Sequence, residues 1–171
     1  MGRLDLSGSG VRGLGARVRT GRPTDLDGVL ALERAAFPPE DCFPRRSWRR
    51  LLVTPSALCL VVDERKVIAS IAWLLRSTSS LARMYSLAVH PDARGRGLAR
   101  RLVAESLRKL PSRVDTLGLE VRSDNGAAVG LYCALGFIET ARLPDYYGPG
   151  RSGLRMRASL TAVKQALSRI R

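Results

Sequence analysis

Residues 81–103 constrain this chain more than any other stretch. An apolar run, a turn that neither strand nor helix can absorb, and an amphipathic helix follow one another directly. Leu81 to Val89 is largely apolar and stops at His90-Pro91, as a buried strand would. Arg94-Gly95-Arg96-Gly97 cannot continue that strand, because its glycines permit positive φ and a close approach of backbone to ligand. From Leu98, the apolar residues Leu98, Leu102, Val103 and Leu107 recur at helical spacing, with Arg100, Arg101, Glu105 and Arg108 on other faces. Pro111 ends that helix, expected over Leu98–Leu110. The turn therefore aims free N–H groups and flanking guanidiniums at one point, which suits phosphate oxygens. It is neither the three-glycine dinucleotide fingerprint nor a Gly-Lys-Ser/Thr P-loop.

A chain of 171 residues with 45% hydrophobic content can bury one domain-sized core. Its net charge of +14 comes from arginine, since Lys66, Lys109 and Lys164 are the only lysines. A compositional bias toward arginine explains the excess as well as an anionic partner does: bound phosphates, an acidic protein segment or nucleic acid. Nucleic acid is open on charge alone, for no helix-turn-helix, zinc-finger or ribonucleoprotein motif is present. Cys42, Cys59 and Cys133 are far apart and form no Cys-x-x-Cys pair, so neither a zinc site nor a disulfide framework is expected. A reducing cytoplasm is the natural setting. Residues 1–15 carry no apolar stretch of a signal peptide, and no apolar run reaches membrane-spanning length.

Taken in order, residues 1–16 read as a disordered N-terminal tail. Arg17-Val18-Arg19 is a first strand. Thr24 or Asp25 caps a helix that buries Leu26, Val29, Leu30, Leu32 and Ala36, stopped by Phe37-Pro38-Pro39. Pro39–Pro44 is a loop, and Arg45–Leu52 is a short basic helix with Trp48 inward. Ala57–Val62 and Val67–Leu75 form an antiparallel hairpin around Asp63–Lys66. Asp115–Val121 is a strand, Ala127–Leu135 a helix capped by Gly136, and Phe137–Ala141 and Gly153–Ala158 the last strands. Leu160–Ile170 is a basic terminal helix. The alternation of strand and helix over 81–135 argues for α/β with central parallel strands, and the hairpin adds antiparallel neighbours.

A second constellation follows. In Leu117-Gly118-Leu119-Glu120-Val121-Arg122, Glu120 shares one face with Gly118 while the leucines and valine take the other. Read alone, Glu120 is a solvated strand residue, Asn125 a helix cap and Tyr132 a core tyrosine. Together they carry a resemblance. Arg94-Gly95-Arg96-Gly97-Leu98-Ala99, preceded by Leu87-Ala88-Val89-His90-Pro91, resembles the acetyl-CoA pyrophosphate loop of the GCN5-related N-acetyltransferases (GNAT superfamily). Leu119-Glu120-Val121-Arg122-Ser123-Asp124-Asn125, then Leu131-Tyr132, then Gly136-Phe137, resembles the second signature of the bacterial ribosomal-protein alanine N-acetyltransferase type. Tyr146-Tyr147 and Leu154-Arg155-Met156 match its downstream tyrosine pair and closing strand. The resemblance covers 17–158 and leaves 159–171 as a basic C-terminal helix or tail.

The resemblance implies a mixed sheet whose neighbouring strands 81–89 and 115–121 splay apart to admit acetyl-CoA, with no metal. Leu87, Ala88 and Val89 would meet the pantetheine arm, and Arg94, Gly95, Arg96, Gly97, Leu98, Ala99 and Arg100 the pyrophosphate. Asn125 would contact the cofactor, and Tyr146 and Tyr147 would line the acceptor groove. The implied reaction is direct acetyl transfer to a protein or peptide N-terminal α-amine. An α-ammonium, with pKa about 7.7–8.0, must lose a proton before attack. Glu120 is the candidate base, an ordinary Glu near ~4.3 that burial on an apolar strand would strengthen. The Val89 N–H is the candidate oxyanion donor, Tyr132 the candidate acid, and His90 structural. Other uses of the same residues are acetylation of a small-molecule amine or lysine side chain, and CoA or nucleic-acid binding without catalysis. Arg142, Arg151, Arg155 and Arg157 face the single acid Asp145 near the acceptor groove, so an acidic acceptor fits better than a basic tail.

Overall fold

The computed structural model describes residues 16–169. Seven strands form one sheet: β1 (Arg17–Thr20), β2 (Ala57–Asp63), β3 (Val67–Leu75), β4 (Leu81–Val89), β5 (Thr116–Arg122), β6 (Ile138–Leu143) and β7 (Gly153–Ser159). Their order in space is β1-β2-β3-β4-β5-β7-β6. The helices are α1 (Leu26–Ala36), α2 (Arg45–Leu51), α3 (Leu98–Leu107), α4 (Gly126–Ala134) and α5 (Leu160–Arg169). The α/β class with a mixed sheet is as expected, with β4 and β5 as its parallel pair. Residues 1–15, most of the expected tail, and Ile170 at the expected end of α5 lie outside the described residues. Ala16, assigned from sequence to the tail, is 9% exposed, and its carbonyl accepts from Arg101 Nη1 at 2.7 Å.

Several expected boundaries shift, and three departures have clear local reasons. The helix expected to reach Leu110 stops at Leu107. Lys109 and Leu110 N–H both donate to Ser106 O in a closing turn, while Pro111 disfavours helical geometry at the residue before it. The strand expected from Phe137 starts at Ile138. Phe137 N–H still donates to Tyr132 O across Gly136, whose φ of +86° only glycine adopts freely. The expected loop over Pro39–Pro44 contains a 3-10 turn, Pro39–Asp41.

Two apolar clusters lie on opposite faces of the sheet. The first includes Trp73, Leu102, Val103, Leu117, Leu119 and Phe137. The second joins α1 and α2 to the other face through Val29, Leu32, Trp48 and Val61. Strand β4 serves both. A bulge at Tyr85 separates the pairs Trp73↔Met84 and Ala72↔Ser86. Ala82 and Met84 therefore pack in the first cluster and Ala88 in the second.

The same strand opens the sheet. His90 N–H donates to Ile68 O at 2.8 Å. Alternate residues of an antiparallel ladder turn their main chain to the same neighbour, so Ala88 and Ser86 follow His90 toward β3. Leu87 and Val89 turn theirs the other way, toward β5. Among the described residues no strand meets them there, because β4 and β5 pair only through Leu81–Arg83 and Thr116–Gly118. This is the splay that the resemblance implies.

Buried Cys59 in β2 makes stability pH-dependent. Burial pushes its thiol up to about 12, whereas an unfolded thiol titrates near ~8.5. Its contribution is complete below about pH 8.5 and is lost as pH rises toward 12, because only the unfolded chain releases the proton. The loss approaches about 1.4 kcal/mol per pH unit between those values. Denaturant midpoints of wild type should fall between pH 8.5 and 10.5 more than those of Cys59→Ala. Equal slopes would assign the alkaline loss to other groups. No helix among the described residues is long and apolar enough to cross a membrane.

Candidate active site

A cavity of about 780 Å³ runs from the Gly-rich turn along the opening between β4 and β5. Leu87, Val89, Arg94, Gly95, Gly97, Leu98, Ala99 and Arg100 line it from one side, and Asn125, Ala128, Leu131 and Tyr132 from the other. Gly95 and Gly97 have φ of +75° and +71°, and a Cβ at either would meet no atom within 4 Å. Glycine is favoured there for backbone conformation, and the start of α3, where helical N–H groups are left free, borders the cavity.

Not every expected residue lies against this cavity. Ala88 is buried in the second cluster, so only its neighbours Leu87 and Val89 face the opening. Arg96 donates through both terminal nitrogens to Glu64, at 3.0 and 3.1 Å, and does not line the cavity. Asn125 has two positions to hold. Its Oδ1 caps α4 by accepting from Ala128 N–H at 3.1 Å, and its side chain borders the cavity. His90 Nδ1 accepts from Asp92 N–H at 3.3 Å within the turn after β4.

A smaller cavity of about 140 Å³ adjoins the first through shared walls at Leu87, Asn125, Ala128 and Tyr132. Phe43, Tyr85, Glu120 and Tyr147 also line it. Phe43 stacks on Tyr85 with centroids 4.0 Å apart. Tyr147 lines this space, and burial pushes its phenol up to about 12. Tyr146 does not line it. It is 45% exposed, and its hydroxyl accepts from Arg83 Nη2 at 3.1 Å. Tyr132 stands between the two cavities, packed edge-on against Phe137, and burial raises its phenol well above the ordinary range.

Glu120 does not stand in the apolar surroundings expected from its strand. Its side chain is only 9% exposed, but Oε2 accepts from Arg83 Nε at 2.6 Å and Oε1 from Arg155 Nε at 3.1 Å. Both are charge-assisted bonds. The expectation missed them because it read β5 alone, whereas the arginines come from the strands on either side.

Two further carboxylates were not among the residues expected from sequence. Asp41 borders both cavities and accepts from Arg122 Nη1 at 2.9 Å and Arg151 Nη2 at 2.6 Å. It ties the loop after α1 to the end of β5 and to the β6–β7 loop. Glu33 is 1% exposed and accepts from Phe43 N–H at 2.8 Å and Ser86 Oγ–H at 2.9 Å. Burial pushes its carboxyl up, and these bonds oppose the shift. The bond to Phe43 orders the ring that walls the smaller cavity.

Residues 26–137 match the acetyltransferase (GNAT) family. The [ribosomal protein bS18]-alanine N-acetyltransferase of Salmonella typhimurium is 36% identical over 128 residues, 72% of this chain and 82% of that protein. The crystal structure of the Escherichia coli ribosomal-protein-S18-alanine N-acetyltransferase superposes with a TM-score of 0.73 at 26% identity, covering 84% of this chain and 93% of that one. Arabidopsis thaliana NAA60 in complex with acetyl-CoA gives 0.72 at 19% identity over 85% and 98% of the two chains, a likeness of fold.

Proposed function

The chain belongs to the acetyltransferase (GNAT) family, and we propose that it transfers acetyl directly from acetyl-CoA to the α-amine of a protein or peptide N-terminus. The observation that carries this reading is the opening between β4 and β5. It joins the Gly-rich turn to a second, smaller cavity, with Tyr132 at the junction and Glu120 in the smaller wall. One end suits a long phosphorylated cofactor and the other an incoming amine. The relatives named for alanine N-acetylation support the α-amine over other acceptors.

In this mechanism the free main-chain groups of Leu87 and Val89 hold the cofactor arm as a neighbouring strand would. The turn and α3 N-terminus, with Arg94 and Arg100, hold its phosphates. The thioester supplies an activated acetyl carbonyl. Glu120, directly or through a water, removes the proton from the incoming ammonium. Each of its oxygens takes one arginine N–H and keeps a second lone pair for that proton. The amine nitrogen then attacks the carbonyl carbon, and the Val89 N–H holds the oxyanion. As the C–S bond breaks, Tyr132 gives its hydroxyl proton to the leaving sulfur, its oxygen takes up the second proton from the nitrogen, and Glu120 releases the first to solvent. The products are the N-acetylated acceptor and CoA thiol.

Free-thiol release from acetyl-CoA, followed over short peptides with free and blocked N-termini, tests this reading. Turnover is expected on an Ala- or Ser-starting peptide and is expected to vanish when that terminus is blocked. Turnover that survives blocking would move the acceptor to a lysine side chain. Turnover confined to small amines would replace the peptide reading.

A further inference from the structure

On the sheet face opposite the first apolar cluster, two arginines bind one carboxylate and a third lies over the neighbouring Gly118. Glu120 lies opposite Arg155 in the β5–β7 register, and Gly118 lies opposite Arg157. Arg83 of β4 pairs with Gly118 from the other side. Alternation turns these residues outward together while Leu117, Leu119, Leu154 and Met156 enter the core. Gly118 leaves the room they use. A Cβ there would stand 3.2 Å from Arg157 Cδ and 3.2 Å from Leu81 Cδ1, so the Arg157 stem lies over bare backbone. Helices α1 and α2 pack over β2, β3 and β4, and they leave Arg83 and Arg155 with side chains 42% and 39% exposed.

The charges in this cluster do not balance. Glu120 takes only the Nε–H of Arg83 and of Arg155. Arg83 gives one terminal nitrogen to Tyr146, and the terminal nitrogens of Arg155 make no hydrogen bond among the described residues. The Arg157 guanidinium makes neither ion pair nor hydrogen bond among them. The other arginines near this end are matched: Arg151 sits on Asp41 and Arg142 on Glu139. Arg83, Arg155 and Arg157 thus leave surplus positive charge beside the candidate base.

We propose that this cluster reads a carboxylate on the acceptor, on the second or third residue behind its α-amine, so that acidic N-termini are the preferred substrates. The inference rests on the acetyl-transfer reading, which brings the amine to Glu120. Neighbouring strands stand about 4.8 Å apart, and the next outward residue along a strand lies about 6.8 Å on. An extended acceptor advances about 3.3 Å per residue. An acceptor that runs from Glu120 toward Gly118 brings a side-chain carboxylate at its second or third position within reach of Arg155 and Arg157. The free guanidinium edges suit it in paired geometry, and a basic residue there meets like charge.

The test compares three peptides that begin Ala-Glu-Glu, Ala-Gln-Gln and Ala-Arg-Arg and share one tail. It measures kcat/KM at low and high salt with wild type and Arg157→Glu. Arg157 borders neither cavity and does not touch Glu120, so its reversal probes recognition. Wild type is expected to favour the acidic over the basic peptide at least tenfold, with the gap shrinking in salt. Arg157→Glu should lower the acidic rate, raise the basic one and close most of the gap. Equal wild-type rates on all three peptides would overturn the inference and leave the transferase reading standing. A gap unchanged in Arg157→Glu, or a uniform loss on every peptide, would overturn the role of this cluster. No turnover on any peptide, alongside turnover of a small amine, would overturn both readings.

Discussion

Glu120→Gln is expected to lower kcat/KM on an N-terminal peptide at pH 7 by about a hundredfold or more, with acetyl-CoA affinity held within about twofold. General-base catalysis contributes about 10²–10⁴ in rate, and Glu120 borders the smaller cavity and not the larger. The substitution is not purely chemical. Glu120 accepts from Arg83 on one oxygen and from Arg155 on the other, and a glutamine can accept on only one. A stability loss of about 1–3 kcal/mol is expected alongside, so activity must be compared at a temperature where both proteins are folded. The pH profile separates the two effects. Without a base, the rate follows the fraction of acceptor already neutral, which rises about tenfold per pH unit until the α-amine titrates near ~8. The deficit should therefore shrink as pH rises, whereas a loss caused by the broken arginine contacts would persist. Activity within threefold of wild type at pH 7 would remove Glu120 from the base role.

The elements around the Gly-rich turn were legible because each is set by neighbours in sequence. The bounds of β4 are those expected, and α3 starts at the expected Leu98, because a proline, two glycines and a helical apolar stripe mark the ends. Glu33 was equally legible and was passed over. It lies one helical step from Val29 and Leu30 on the buried stripe of α1, where a carboxylate needs partners. The partners of Glu120 and Asp41 were not legible. Arg83 lies 37 residues before Glu120, and Arg151 lies 110 after Asp41. Which side chains meet across strands depends on register and strand order, and the apolar pattern of β5 allowed several neighbours. The bulge at Tyr85 was hidden for a related reason. The pattern of β4 runs on without a break, yet Met84 and Ala88 enter opposite clusters.

Tyr132→Phe carries the second large effect, an expected fall in kcat of about a hundredfold with little change in folding. The ring packs edge-on against Phe137 at 5.9 Å, and phenylalanine keeps that contact. The hydroxyl makes no hydrogen bond among the described residues, so its removal leaves no partner unsatisfied. What is lost is the proton. Burial raises this phenol above its ordinary value near ~10, so Tyr132 stays protonated across the working pH range. A thiolate whose parent thiol has a pKa near ~8.5 is a weaker base than this tyrosinate, so the hydroxyl first hydrogen-bonds to the charge growing on sulfur, and its proton crosses as the oxygen takes up the one leaving the nitrogen. This places its contribution in the transition state, so kcat should fall while KM for acetyl-CoA stays within about twofold. The opposite split, with kcat retained and acetyl-CoA binding weakened tenfold, would make the hydroxyl a cofactor contact. In that case sulfur would leave as the thiolate, and the proton would come from solvent.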